Sequence, residues 1–224
     1  MALFEDRTEA GRRLAAELSA YADRDDVVVL ALPRGGVPVA YEVAKALGAA
    51  MDVYVVRKLG VPGHEELAMG AIATGGTLVL NESVVRDLSV PQHKIDDVAT
   101  REGIELERRE REYRGSRPPI DVRGLTVILI DDGLATGATM RAAVRALRQQ
   151  EPRRVVVAVP TAASDTCASI GREVDEIVCA ETPSPFLGVG MWYENFSQTT
   201  DDEVKRLLAE FDGPSAAHAS SAGP

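Results

Sequence analysis

Four stretches of this chain run almost without interruption in branched apolar residues: "DDVVVLAL" (25–32), "LTVILI" (125–130), "RRVVVAVP" (153–160) and "VDEIVCA" (174–180). A strand with one face in water alternates apolar with polar residues, whereas a strand apolar at nearly every position has both faces covered. "MDVYVVRK" (51–58) reads as a further strand of the same kind. Segments with helical spacing lie between these runs. "GGVPVAYEVAKALG" (35–48) puts Val39, Val43, Ala44 and Leu47 on one face and closes on Gly48, and "TMRAAVRALRQQ" (139–150) turns Met140, Ala143, Val144 and Leu147 inward. The alternation predicts an α/β fold: a mainly parallel central sheet of about five strands, flanked by helices. Sheets of this kind bind ligands beyond the carboxyl ends of their strands.

The rest of the chain fits around that core. Residues 5–22 read as a helix with Ala10, Leu14, Leu18 and Tyr21 on one face, and 164–171 as a short helix. "LAMGAIATGGTLVLN" (67–81) reads as two short strands across a Gly75–Gly76 turn. Residues 91–115, dense in both charges, predict a solvated helix with internal ion pairs, and a last helix covers about 200–211. One domain is expected over 1–212, with its core at about 25–180 and a small hood subdomain drawn from the termini and about 181–200. The small, polar stretch 213–224 reads as a disordered tail.

Composition narrows the function classes. The net charge of −10 argues against nucleic acid or an anionic membrane surface as a partner, because the long-range field repels phosphate; local amides can still hold a small phosphate. No apolar run approaches the ~20 residues of a membrane span, and "MALFEDRTEAG" is charged where a signal peptide needs an apolar centre. Cys167 and Cys179 are too few for a disulfide scaffold, and no Cys/His spacing resembles a zinc site. The expectation is a reducing cytoplasm.

Three glycine-rich or charged stretches fall at strand ends. In "VILIDDGLATGAT" (127–139), Asp131 and Asp132 are acceptors when ionised, suited to sugar hydroxyls or to outer-shell contact with a phosphate-bound magnesium. They should lie at a solvent-accessible strand end. Gly133 and Gly137 allow close approach, Thr136 and Thr139 can present hydroxyls to one anion, and the helix that follows offers unpaired amides to a phosphate. An acidic pair after a strand is also read as a turn with a helix cap, or as a phosphoacceptor. "LPRGGVPVA" (32–40) offers backbone amides and the Arg34 guanidinium to an anion, with Gly35 and Gly36 opening the helix. In "VVRKLGVPGHEELAMGAI" (55–72), Arg57 and Lys58 leave a buried strand, and Gly60, Pro62 and Gly63 predict a mobile segment carrying His64, Glu65 and Glu66.

The first of these strings resembles the diphosphoribosyl-binding motif of type I phosphoribosyltransferases, and the other two stretches resemble that family's pyrophosphate loop and flexible catalytic loop. "ALPRGG", "VVRKLG" and "WYENFSQ" together look like a bacterial subgroup of that family with no settled acceptor. The resemblance implies that Asp131 and Asp132 hold the ribose hydroxyls and that Ala135, Thr136, Gly137, Ala138 and Thr139 wrap the 5′-phosphate. It implies that Arg34, Gly35, Gly36, Arg57 and Lys58 face the diphosphate, with a non-proline cis peptide near Arg34–Gly35. Ala135 stands where some purine-salvage members carry a further acidic residue. The implied reaction is phosphoribosyl transfer from 5-phosphoribosyl 1-diphosphate to a nitrogenous acceptor, with closure of the 59–70 loop. Magnesium would be carried on the diphosphate, with no direct protein ligands. Some family members are regulators, so a sensor of the donor is the second expectation; a homodimer is a third.

One further cluster bears on the acceptor. Phe186, Trp192, Tyr193 and Phe196 fall within eleven residues, in a chain with only four Phe, five Tyr and one Trp. They read either as pins for the C-terminal segment or as a hood over a planar acceptor, whose ring would stack on aromatic faces.

Overall fold

The computed structural model describes residues 2–211, so the predicted tail at 213–224 lies outside the described residues. In chain order the elements are α1 (Arg7–Glu17), β1 (Val27–Ala31), α2 (Gly36–Leu47), β2 (Ala50–Val53), β3 (Val56–Val61), β4 (His64–Ala73), β5 (Thr77–Leu80), α3 (Glu82–Asp87), α4 (Gln92–Arg114), β6 (Thr126–Ile130), α5 (Ala138–Arg148), β7 (Arg154–Thr161), α6 (Ser164–Gly171), β8 (Glu176–Glu181) and α7 (Asp201–Phe211).

Five strands form one sheet in the order β2-β1-β6-β7-β8, every pair parallel. The continuous apolar runs follow from burial on both faces. Val27, Val29, Ala31, Ile128, Ile130, Val156 and Ala158 point into a core shared with Leu14, Leu18, Val39, Val43 and Leu47 of the α1–α2 side. Their alternates, Val28, Leu30, Val127, Leu129, Val155 and Val157, point into a second core with Met140, Val144, Leu147 and Ile170 of α5 and α6. Burial of each such side chain contributes roughly 1.5–3 kcal/mol before the entropy of ordering is set against it.

The run at 51–58, predicted as one strand, is broken. β2 ends at Val53; Tyr54 and Val55 leave the sheet, and β3 opens a separate antiparallel sheet in the order β3-β4-β5. The break has its own partners: the Val55 amide donates to Thr74 Oγ1 at 2.8 Å, and the Gln150 side-chain amide donates to the Tyr54 hydroxyl at 3.0 Å. Residues 59–70, expected as a mobile loop, are a hairpin, with β3 and β4 paired from Val56↔Ala73 to Val61↔His64 around an exposed tip. Gly60 is required there, because a Cβ would lie 2.6 Å from the Glu65 carbonyl oxygen.

The charged helix predicted at 91–115 is α4. Its polar face carries ion pairs such as Arg108–Glu105 and Arg109–Glu105, while Ile95, Val98, Leu106 and Tyr113 are buried. Its last residue, Arg114, lies almost wholly buried on Asp52 of β2 at 2.8 Å and donates to the Val53 carbonyl at 2.7 Å. α7 packs on α2 and α4. At the other end of the chain, the Leu3 and Phe4 amides donate to the Trp192 carbonyl, and the Glu194 amide donates to the Phe4 carbonyl. Cys167 on α6 and Cys179 on β8 form a single disulfide, which the expectation of a reducing compartment did not include. No described helix is long and apolar enough to cross a membrane.

Candidate functional site

Parallel pairing brings the carboxyl ends of β2, β1, β6, β7 and β8 to one edge. The chain is stitched across that edge beyond the strands: the Tyr54 amide donates to the Ala31 carbonyl, Leu32 to Ile130, Leu134 to Thr161 and Ala162 to Glu181, all at 2.8–3.0 Å. Asp131 and Asp132 emerge here from β6. They are half-buried rather than freely accessible, which corrects the sequence expectation. Burial, and then the charge of Asp132, push the Asp131 carboxyl well above the ordinary carboxylate range. Burial raises Asp132 as well, and the Arg7 guanidinium pulls it back.

The loop that follows is shaped by its neighbours. Gly133 lies under Val189, where any side chain would strike the valine methyl groups, and within 3.1 Å of the Thr161 carbonyl oxygen as measured from a built Cβ. The Thr166 hydroxyl donates to the Ala135 carbonyl at 2.7 Å, and Arg141 Nη1 donates to the Thr136 carbonyl at 2.8 Å. Gly137 has φ +70°, a left-handed conformation that disfavours a side chain. With its carbonyls held from outside, the loop turns Ala135, Thr136, Ala138 and Thr139 to solvent. α5 then begins with no side-chain cap, leaving its first-turn amides available to an anion.

The Gly35–Gly36 turn is pressed onto the same acid pair. A Cβ on Gly36 would lie 2.7 Å from the Ile130 carbonyl oxygen and 3.0 Å from Asp131 Cα; one on Gly35 would collide with the Asp132 carboxylate. α2 also starts without a side-chain cap, but its Gly36 and Val37 amides already donate to the Leu32 and Arg34 carbonyls, both at 3.1 Å, and Pro38 has no N–H, so the open helix amides beside the carboxylates are those of α5. The cis peptide lies at Pro33–Arg34, one residue before the expected Arg34–Gly35 bond. Arg34 is directed at α7, with Nη1 3.5 Å from Asp201 Oδ2, and Tyr113 donates to the other oxygen of that carboxylate at 2.7 Å.

The remaining candidates divide between two places. Arg57 Nη2 is 2.7 Å from Glu102 of α4, and Lys58 Nζ donates to the Glu66 carbonyl at 3.2 Å; both belong to the antiparallel sheet, and neither touches the acid pair. Of the four aromatics, Tyr193 is buried and donates its hydroxyl to the Asp132 carbonyl at 2.6 Å. Its ring packs on Phe4 at 5.4 Å and on Phe196 at 5.1 Å, while Phe186 and Trp192 form a separate pair at 6.2 Å.

Arg7 is the site residue that sequence reasoning misses. From the first turn of α1, its Nε and Nη2 reach Asp132 Oδ2 at 2.9 and 2.8 Å, its Nη1 donates to the Ser197 carbonyl at 2.7 Å, and its Cζ sits 3.9 Å from the centre of the Phe196 ring. No motif marks it. The one available signal is an arginine at the start of a helix that the core places over the carboxyl edge.

The phosphoribosyl transferase domain matches residues 4–181 of this chain. A protein of Mycobacterium tuberculosis strain H37Rv, provisionally named a phosphoribosyl transferase, is 49% identical over 208 residues, which are 93% of this chain and 47% of that protein. The chain thus spans about half the length of the curated relatives it matches. The bifunctional protein PyrR of Chloroflexus aurantiacus is 33% identical over 129 residues, covering 56% of this chain and 65% of PyrR. The crystal structure of TT1426 from Thermus thermophilus superposes with a TM-score of 0.84 at 42% identity, covering 95% of this chain and 100% of TT1426.

Proposed function

This chain belongs to the phosphoribosyl transferase family, and on that premise we propose that it binds 5-phosphoribosyl 1-diphosphate and transfers the phosphoribosyl group to a planar nitrogenous acceptor, releasing pyrophosphate. One observation carries the reading: the Gly35–Gly36 turn is packed against Asp131 and Asp132, so that acceptors for sugar hydroxyls stand between the uncapped N-terminus of α5 and the turn that carries Arg34. An anion on each side of a polyol is the chemistry of a phosphorylated pentose carrying a second phosphate group.

In this reading the 5′-phosphate takes the α5 amides and the Thr136 and Thr139 hydroxyls, and the ribose hydroxyls donate to Asp131 and Asp132. The leaving diphosphate, entering as its magnesium complex, faces the Gly35 amide, Arg34, Arg57 and Lys58, with Gly36 allowing the close approach of the turn. Bond breaking at the anomeric carbon builds positive charge on the sugar, as in glycoside chemistry, and the two carboxylates offset it. The enzyme's contribution is position and charge together with exclusion of water, which the exposed tip of the β3–β4 hairpin supplies by folding over the donor. Phe186 and Trp192 offer ring faces to the acceptor, while Phe196 carries Arg7 on its face.

The experiment is calorimetric titration with the magnesium complex of the donor, for the wild type and for Thr136→Ala/Thr139→Ala, followed by pyrophosphate release with a panel of nucleobases. Donor affinity is expected to fall at least ~10-fold in the double variant. Equal affinity in the two proteins sinks the cradle. A second reading, a sensor that binds the donor without turnover, draws on the pairing of Arg34 with Asp201 and of Arg57 with Glu102, which neutralises two cations meant for the diphosphate. Binding with no pyrophosphate release on any base favours it.

A further inference from the structure

The Arg7 guanidinium spends its donors unequally. Two nitrogens, Nε and Nη2, converge on one oxygen, Asp132 Oδ2, and the third, Nη1, reaches the Ser197 carbonyl. No hydrogen bond among the described residues reaches Asp132 Oδ1. Oδ2 is the oxygen that also faces Gly35, since a Cβ there would meet Oδ2 first. The carboxylate is therefore clamped along one edge, with its other oxygen left for a ligand. The plane of Arg7 is fixed from behind by the Phe196 ring at 3.9 Å, and its side chain is 11% exposed. A planar fork that stacks on an aromatic while gripping a carboxylate is a geometry lysine does not reproduce.

We infer that Arg7 is a positioning residue of the donor site: it turns Asp132 so that Oδ1 faces the sugar hydroxyls, and it fastens the 193–197 segment to that carboxylate. The inference rests on the donor reading of the acid pair given above. Arg7 lies 125 positions from Asp132 in sequence, so the N-terminal helix becomes a working part of the site rather than a cover for the sheet.

A consequence separates this role from mere packing. The charged and titratable groups facing the acid pair are Arg7 from α1 and Tyr193 from the hood, with Glu9 of α1 next in reach through Tyr193. Arg7 is the cation among them, and it opposes the rise that burial imposes on both carboxyls. An ionised carboxylate is the stronger acceptor for sugar hydroxyls. Without the guanidinium the pair holds its proton to higher pH, and donor binding should begin at higher pH.

The test is donor affinity, measured by calorimetry with the magnesium complex of 5-phosphoribosyl 1-diphosphate across about pH 5 to 8, for the wild type, Arg7→Gln, Arg7→Lys and Thr136→Ala. Arg7→Gln is expected to weaken binding at least ~10-fold at neutral pH and to move the acid limb up by about one pH unit or more. Arg7→Lys should keep the limb near that of the wild type while losing affinity, because charge is retained and the fork is lost. Thr136→Ala should lose affinity with the limb unmoved. Wild-type affinity and limb in Arg7→Gln overturn the inference. If Arg7→Gln does not fold, Arg7→Lys decides: affinity equal to the wild type overturns it. If the wild type binds no donor at any pH, the donor reading falls. The role of Arg7 at Asp132 is then tested in the ligand-free protein by carbon NMR of the aspartate carboxyls, where an Asp132 titration identical in wild type and Arg7→Gln overturns it.

Discussion

The Tyr193 hydroxyl donates to the backbone carbonyl of Asp132 at 2.6 Å. The bond joins the aromatic segment to the second residue of the loop that leaves β6, and it is formed by a buried side chain. Burial, and then the charge of Asp132, raise the Tyr193 hydroxyl above its ordinary range, so it remains a donor across the physiological interval. Tyr193→Phe keeps the ring contacts with Phe4 and Phe196 and leaves a carbonyl without its partner. A loss of about 1–2 kcal/mol is expected, read as a lower denaturant midpoint at unchanged slope. A midpoint equal to that of the wild type would mean that the bond contributes nothing net.

Asp131 gives a prediction whose sign depends on pH. Its carboxyl is raised well above the ordinary 3.8 by burial and by Asp132. A raised acid makes the folded state bind more protons than the unfolded chain, so stability falls as pH climbs from the ordinary value through the folded one. Asp131→Asn removes that penalty, and its side-chain oxygen can still accept from the Asp132 amide, as Asp131 Oδ1 does at 2.9 Å. The variant is expected to be more stable than the wild type at neutral pH, on the order of 1 kcal/mol, with the gain vanishing below about pH 4. Donor affinity should fall in the same variant. Thermal unfolding across pH checks the first part; a variant less stable than the wild type at pH 7 contradicts it.

The contrast between these two residues shows what was legible. The central sheet could be read because burial on both faces writes itself as unbroken apolar runs, as in Val27–Ala31 and Thr126–Ile130. The acid-pair loop could be read because its parts are local: strand, carboxylates, glycine and uncapped helix follow one another in sequence. The break after Val53 could not, since Tyr54, Val55 and Val56 continue the apolar run, and only Thr74 and Gln150, distant in sequence, supply the partners that divert it. Arg7, Glu102 and Asp201 escaped for the same reason. Each is an ordinary charge on a helix, and its role comes from a partner tens of residues away. The cis bond was expected near Arg34–Gly35 and lies one peptide earlier, at Pro33–Arg34, because the sequence marks the loop and not the bond within it.

Glu102 tests whether Arg57 belongs to the diphosphate side of the site. Arg57 places both Nε and Nη2 on one Glu102 oxygen, at 3.0 and 2.7 Å, and Glu102 is 13% exposed. A diphosphate binding at Arg57 competes with that carboxylate. Glu102→Gln keeps the shape of the pair and removes its charge. Affinity for magnesium pyrophosphate is then expected to rise several-fold, on the order of 3- to 10-fold at low ionic strength, and Arg57→Gln should lower it. Unchanged affinity in both variants, measured by calorimetry, would place Arg57 outside the diphosphate site and leave its pair with Glu102 as a tie between α4 and β3.

Gly35 tests the contact on which the proposed site is built. Its backbone, φ −59° and ψ −32°, is one that alanine adopts freely, so space is the objection to a side chain. A methyl group there runs into the Asp132 carboxylate and approaches Arg7 Nε to 3.4 Å. Both are side-chain atoms and can give way, so the strain should fall on the geometry of the acid pair more than on the fold. Gly35→Ala is expected to lower stability by no more than about 2 kcal/mol and donor affinity by at least ~10-fold. Gly124→Ala serves as the control. Gly124 has φ +73° and open space around its Cβ position, at the turn before β6 and away from the site. It should cost roughly 1 kcal/mol of stability through backbone strain and leave donor affinity unchanged. If the two variants lose affinity alike, the effect is one of general stability, and the Gly35–Asp132 contact has no part in binding the donor.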